Sequence, residues 1–294
     1  MKKHPFALLI FLLLVFHLPA NDFNDIKTLK DAGLNGKVKS CTIEEYQTKV
    51  GKNGEIVKGE LKDSTVYLFN SFGYLIEKAS YGVDKMIPKS RSVFAFQKDT
   101  LCSVMKNYFG EKLVDTVHYS FDNGLLSSEE DFPFGRLGDK NILKYYGYSG
   151  NLLSRYFTLK ENGDTNVEVL FFYDKSNRKT EMRQFVNLGS PTLSPFATIN
   201  YSYNAKGQLS NQTEDNVFQK TKKETSFGYD DRGSKNMISE VTPQNTTTDT
   251  YNYTYDDHGN WVKCTGGEIV KKSTGEIISK NNSDWVERII EYAK

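Results

Sequence analysis

The sequence predicts an all-β fold: a long antiparallel meander of hairpin repeats, twisted and coiled on itself, with a short helix near its N-terminal end. Three observations predict it. Tyrosine and phenylalanine are abundant (18 and 19 residues) in a chain whose mean hydropathy is −0.56. That balance suits half-buried antiparallel sheet better than a helical bundle. Aromatic residues recur at every second position just ahead of Asp- or Asn-rich turns that contain glycine, which is the signature of a hairpin. These units also repeat at a near-constant interval, and a fixed period outranks any local motif in deciding a fold.

The clearest unit is Tyr251–Trp261. Tyr251, Tyr253 and Tyr255 share one face of a strand, Asp256-Asp257-His258-Gly259 makes the turn, and Trp261 opens the return strand. Weaker copies run over Val66–Ile76, Val117–Leu126, Tyr146–Leu153, Phe171–Arg178, Tyr201–Leu209 and Phe227–Gly233. Their pivots are Gly73, Gly124, Gly150, Asn177, Gly207, Gly233 and Gly259, separated by 51, 26, 27, 30, 26 and 26 residues. A degraded copy at Phe94–Asp99 fills the long first gap, and a loop around Gly189–Pro195 accounts for the interval of 30. Asn177 stands where the others carry glycine, and Asn is the next-best residue for a left-handed turn position. Two strands per period give some sixteen to eighteen strands. Open twisted sheets rarely exceed about ten strands without curling, so the meander is expected to coil and bury an aromatic inner face.

Taken in order, residues 1–20 read as a signal peptide. They comprise a basic head with Lys2 and Lys3, an apolar run from Phe6 to Leu18 and an exit at Pro19-Ala20. The apolar run is about thirteen residues, short of the roughly 20 a spanning helix needs. Cleavage after Ala20 leaves residues 21–294 as a single repeat domain outside the cytoplasm. Residues 25–32, ended by Gly33, are the one expected helix. From Lys37 the pattern is β throughout, closing on the strand Asp284–Tyr292.

Without residues 1–20 the chain holds 36 basic and 37 acidic residues, a charge of −1. Near-neutrality removes the electrostatic case, from overall charge, for nucleic acid and for an anionic membrane surface. Cys41, Cys102 and Cys264 are an odd set without zinc spacing, so at most one bridge is expected and no metal site.

The motif Tyr-x-Tyr-Asp-x-x-Gly-(Asn/Gln/Arg)-Leu, seen at Tyr201–Leu209 and Tyr251–Trp261, resembles the YD repeat of Rhs-type proteins. The layout as a whole is similar to small secreted bacterial proteins with degenerate YD-like repeats, which carry a Gly-Asn-Trp turn near the C-terminus before a final strand. That resemblance covers about residues 36–292 and implies the repeat fold. Large Rhs proteins use such repeats as a shell around a C-terminal toxin. Here 35 residues follow Gly259, and the Gly73 and Gly207 copies lack the Asp. For the short relatives the resemblance implies no particular activity.

Candidate chemistry is sparse. Only His118 and His258 lie beyond the leader. His258 is flanked by Asp256 and Asp257, but local turn hydrogen bonding explains all three residue types. A hydrolase would need carboxylates from other repeats beside it. Asp230-Asp231 and Asp256-Asp257 lack the alternating ligands and distal Glu of a calcium loop. The tyrosine rows have a binding interpretation. Tyr201, Tyr203, Tyr229, Tyr251, Tyr253 and Tyr255, with His258 and Trp261, form a candidate aromatic face for a glycan or peptide. Buried, the same rows are the core of the sheet, and burial is the expected state. The sequence therefore points to an exported, non-catalytic binding or structural protein of the cell envelope or extracellular space. It needs no cofactor. Its expected partner is a protein or glycan at the envelope, with no nucleic acid and no membrane span once the leader is removed.

Overall fold

The computed structural model describes residues 28–293 apart from 54, 99–100, 134–141, 161 and 190–191. The proposed leader and residues 25–27 of the expected helix lie outside the described residues. Eighteen strands follow one another: β1 (Val38–Val50), β2 (Ile56–Phe69), β3 (Leu75–Tyr81), β4 (Pro88–Lys98), β5 (Leu101–Phe109), β6 (Lys112–Asp122), β7 (Leu125–Pro133), β8 (Ile142–Ser149) and β9 (Leu152–Leu159). The second half comprises β10 (Thr165–Tyr173), β11 (Lys179–Val186), β12 (Ser194–Tyr203), β13 (Leu209–Asn216), β14 (Thr221–Tyr229), β15 (Lys235–Val241), β16 (Asn245–Tyr255), β17 (Trp261–Lys272) and β18 (Ile277–Tyr292).

Each strand pairs antiparallel with its successor, and β18 pairs antiparallel with β1. The sheet is thus a closed barrel. The expected open, coiled meander is incorrect in this respect. An open sheet of this length would leave two edges of unpaired N–H and C=O groups, and closure removes both. The seam runs from Val38 opposite Tyr292 to Tyr46 opposite Trp285. It is fastened beyond the last strand by the Ala293 N–H donating to the Lys37 carbonyl at 2.7 Å.

The expected N-terminal helix is also corrected: no helix is present among the described residues. Thr28–Gly33 make a single turn in which the Ala32 N–H donates to Thr28 O, and the Leu34 N–H then closes back onto Leu29 O. Gly33 (φ 61°) and Gly36 (φ 85°) turn the chain away. One turn fixes several dihedrals for little hydrogen bonding, so it does not propagate.

Connections alternate between two ends of the barrel. The eight that join β2 to β3, β4 to β5 and so on to β16–β17 lie at one end, together with residues 28–37 and the exit at Ala293. All the repeat pivots are here, so we call it the motif end. A period near 26 residues is one strand away and one strand back, which returns every copy to the same rim. The other nine connections form the far end.

Following register around the barrel separates the two faces. Cys41, Tyr67, Val117, Val169, Ile199, Thr225, Tyr251, Cys264 and Arg288 share one face, and all are buried. Lys106, His118, Arg155, Arg183, Asn200, Asp215, Glu224 and Asn252 alternate onto the other and are exposed. The first face is the inner wall. Most of its remaining side chains are half-buried, consistent with a barrel of 16–18 strands, whose interior is wide enough to hold water.

Burial is concentrated in one sector. Ala32 and Leu34 pack against Val38, Cys41, Ile43, Tyr67, Phe69 and Leu75, with Leu29, Phe94, Val286, Ile290 and Tyr292 around them. Residues 28–36 therefore line the motif-end portion of β1–β3 and β16–β18. No disulfide joins the three cysteines, and Cys41 and Cys264 are buried thiols.

Candidate functional site

The motif-end turns show what the repeat encodes. In five of them a side-chain oxygen accepts from the backbone N–H groups two and four residues on. The acceptors are Asn70, Asp174, Asn204, Asp230 and Asp256, at 2.8–3.0 Å. Asn does this as well as Asp, so the Gly73 and Gly207 copies lose nothing by lacking the acid. All seven pivots have positive φ, including Asn177 at 60°. A register shift sits at the aromatic residue before every motif-end turn, from Phe69 and Phe96 to Tyr229 and Tyr255. Such bulges sharpen twist and re-aim a side chain.

At Tyr173, Tyr203 and Tyr229 the re-aimed tyrosine reaches back to the preceding hairpin, and in the last copy Tyr253, two residues ahead of the shift, does so. The hydroxyls of Tyr173, Tyr203, Tyr229 and Tyr253 donate to the carbonyls of Leu153, Lys179, Leu209 and Lys235 at 2.7–2.8 Å. Tyr255 donates instead to Asp230 Oδ2 at 2.5 Å. Neighbouring repeats are therefore latched at one rim by their own tyrosines.

The candidate binding residues all belong to this wall or rim. Tyr201, Tyr203, Tyr229, Tyr253 and Tyr255 are half-buried on the inner wall, whereas Tyr251 is buried under Gly266. Trp261 lies with Tyr253 (centroids 5.7 Å) and beneath the Arg288 guanidinium at 3.6 Å. His258 sits on the motif-end rim with its ring stacked on Tyr292 at 4.0 Å. His118 is on the outer wall, opposite Glu130 in register and edge-on to Phe132. The two histidines thus stand apart, and His258 has a packing partner in the closing strand. Among the described residues no group of three or more His, Cys, Asp or Glu side chains has metal-binding geometry.

The rest of the inner wall combines aromatics with polar groups. Tyr146, Tyr156 and Phe171 form a continuous row, with centroids 6.0–6.2 Å apart. Lys144 lies over Tyr156 at 4.7 Å and 3.7 Å from Glu129. Burial and the nearby Asp115 and Glu129 push the Asp131 carboxyl up. Burial and the Glu129 carboxylate push the Tyr146 hydroxyl up. Burial pulls Lys179 and Lys235 down, each amine lying over wall rings. Burial, followed by Tyr203 and Glu214, raises Tyr201 to about 12.

Two residues central to the structure escaped the sequence reading. Asn260 is 1 % exposed. It accepts from the Asn35 N–H at 2.6 Å and donates to Asn35 O at 3.0 Å and to the Tyr292 hydroxyl at 2.6 Å. Tyr292 in turn donates to Asp256 Oδ2 at 2.5 Å. One amide therefore ties the N-terminal segment, the last motif turn and the closing strand. Arg288 is 4 % exposed and donates to the Ala32 carbonyl at 3.3 Å. Burial lowers its guanidinium to about 10 against the opposing influence of Cys41 and Tyr67. The Gly-Asn-Trp turn was a visible signal for Asn260. An arginine inside the apolar closing strand was the signal for Arg288.

No protein-family model and no curated protein matches the chain. Among solved structures, a porin-like protein from Bacteroides uniformis is similar over 87% of this chain and 98% of its own, with 11% identity and a TM-score of 0.46. A second porin-like protein, from Bacteroides vulgatus, covers 87% and 99% with 10% identity and a TM-score of 0.35. The Photorhabdus luminescens Tc holotoxin pore matches over 84% of this chain but only 16% of that much longer one, with 10% identity and a TM-score of 0.37. At such loose superposition, function has to be argued from this chain's own residues.

Proposed function

We propose that the chain is an exported, non-catalytic binding protein that takes an oligosaccharide against the tyrosine-lined inner wall of its barrel. The observation that carries this reading is the division of labour within the rim tyrosines. The hydroxyls of Tyr173, Tyr203 and Tyr229 are committed to neighbouring strands, while the rings stay half-exposed toward the interior. Rings held at their tips are fixed faces for stacking with little entropy left to lose. Wall residues such as Gln184, Gln212, Asp115 and Glu129 stand between the rings as hydrogen-bonding groups. Export rests on the leader-like residues 1–20.

The outer wall supports a barrel that does not span a bilayer. A spanning barrel presents an apolar band about 25 Å tall to lipid, and a midplane Arg or Lys there costs about 2–4 kcal/mol. Lys106, Arg155, Arg183, Glu224, Lys263 and Glu287 all lie on outer positions within their strands.

Trp261 makes a test direct. The chain has two tryptophans. Trp285 faces outward under Lys263 at 3.7 Å, so Trp285→Phe leaves Trp261 as the sole reporter of the interior. Titration with envelope-derived and extracellular oligosaccharides is expected to shift Trp261 emission, and Tyr201→Ala to weaken that binding by about tenfold, near 1.4 kcal/mol. If no glycan changes the emission and short peptides do, the ligand is a peptide. If neither does, a purely structural role remains.

A further inference from the structure

The far end of the barrel carries a surface that the interior does not explain. Ten of the thirteen exposed large apolar side chains among the described residues lie there; Phe72 is at the motif end, and Phe172 and Ile289 are on the outer wall. Exposed apolar side chains gathered at one end of a barrel mark a candidate interaction surface. On the arc from β13 to β18 it includes Val217, Phe218, Val241, Ile277 and Ile278, with Phe218 stacked on Phe196 at 5.9 Å. The connections in this arc support one another, the Ser273 N–H donating to the Gln244 carbonyl at 2.9 Å.

Positive charge accompanies the apolar residues of this arc. Residues 215–222, 241–246 and 271–278 hold Lys220, Lys222, Lys271 and Lys272 against only Asp215 and Glu276, a surplus of two positive charges. Lys222 lies 3.5 Å from Asp215 and Lys272 2.7 Å from Glu276, which leaves Lys220 and Lys271 as the source of that surplus. At the motif end the turn aspartates Asp174, Asp230, Asp231, Asp256 and Asp257 are balanced by Lys175, Arg178, Lys179, Lys206, Arg232 and Lys235.

We propose that this arc of the far-end rim seats on an anionic lipid surface, with Phe218, Ile277 and Ile278 entering the headgroup layer and the lysines meeting lipid phosphates. Apolar side chains beside lysines are the combination that partitions into such an interface. The polar outer wall stops the barrel from going deeper. The mode is peripheral seating, with the motif end directed away from the lipid.

Flotation with vesicles tests it, using the chain without residues 1–20, whose apolar run would itself partition into lipid; every strand among the described residues lies beyond residue 37. Vesicles of equal phosphatidylcholine and phosphatidylglycerol are expected to carry the protein up at low salt, whereas phosphatidylcholine alone does not. Phe218→Ser with Ile277→Ser, and separately Lys271→Glu with Lys272→Glu, are each expected to weaken binding by about tenfold or more. Phe172→Ser on the outer wall is expected to leave it unchanged. Should the rim variants fail to fold, Ile277→Trp in a Trp285→Phe background reads the same contact, through quenching by brominated acyl chains. No flotation on anionic vesicles, equal flotation on neutral ones, or no quenching in the Ile277→Trp protein would overturn the proposal. So would rim substitutions that dissociate a dimer without altering flotation, which would assign the surface to a second copy of the chain.

Discussion

Two sectors of one barrel are held together in different ways. From β4 to β15 the wall is a run of hairpins, latched across β9–β15 by tyrosine hydroxyls on backbone carbonyls, with the inner face half-open. From β16 through the seam to β3 the same hairpins are overlaid by residues 28–36, and the inner face is closed by Arg288, Asn260, Tyr251 and the Cys41–Tyr67 cluster. A repeat supplies nearest-neighbour contacts wherever it occurs, but closing a ring demands one interface that the repeat does not encode. The seam strands β1 and β18 carry no copy of the motif, and the buried polar residues Glu44, Ser64, Asn260 and Arg288 lie in that sector.

The largest expected effect is at Arg288. Arg288→Ala removes the cation over Trp261, strands the Ala32 carbonyl and opens a void in the best-packed region. A loss of about 3–5 kcal/mol in urea unfolding is expected. Tyr201→Ala, on the half-open arc, is expected to cost about 1 kcal/mol. Arg288→Met, which retains volume without charge, is expected to recover much of the stability because burying a guanidinium is itself costly. If Arg288→Ala and Tyr201→Ala cost the same, the two sectors are equivalent and the comparison fails.

Asn260 sharpens the contrast within a single structural position, the residue after the pivot. Gln208 occupies the same place on the open arc, where its side chain accepts from Asn204 Nδ2 at 3.0 Å. Asn260→Ala is expected to cost about 2–3 kcal/mol, since it leaves two groups of Asn35 and one of Tyr292 unmatched. Gln208→Ala is expected to cost about 0.5 kcal/mol. Limited proteolysis separates the roles further, because only Asn260→Ala should expose Lys30 and Lys37 to trypsin while the barrel stays intact.

These two residues also mark where the sequence stopped being legible. Hairpins could be read because their determinants are local: the Asx acceptor, the pivot with positive φ and the alternating aromatics all fall within ten residues of one another. Even the degraded Phe94–Phe96 copy carries the same bulge as its siblings. Closure could not be read, because the β1–β18 seam joins segments some 250 residues apart and neither strand bears the motif. His258 and Trp261 belong to the candidate aromatic face, yet the residue that ties the turn to the seam is Asn260, whose type is common in turns and whose partners lie at both chain ends. The expected helix failed for a related reason. Its apolar residues, Leu29 and Ala32, are spaced for a helix, but they serve as the anchors of a single turn laid across the strand ends.

The smallest expected effect separates the tyrosines by pH. Inner-wall hydroxyls are raised above their ordinary value, first by burial and then by neighbouring phenol and thiol groups: Tyr201 to about 12, with Tyr67 and Tyr253 raised as well. A raised folded value means that the neutral phenol is favoured in the folded state. Each such group contributes stability that is fully present below the unfolded value near 10 and is lost as pH rises through the folded one. Stability should therefore be unaffected by these groups at neutral pH and fall between about pH 10 and 12. Tyr203→Phe, which removes a latch on the open arc, is expected to cost about 1 kcal/mol at pH 7. In the locked sector the opposite limb matters too. Burial opposes the Asp256 carboxylate, but donation from Tyr292, Asn260 and His258 outweighs it and holds that group below its usual range. That contribution is present above the unfolded value near 4 and disappears as pH falls through the lower folded one. Acid should accordingly loosen residues 28–36 before it unfolds the hairpins of the open arc, which hydrogen exchange at low pH would resolve. Uniform exchange across both sectors would mean that the seam adds nothing to what the repeat already provides.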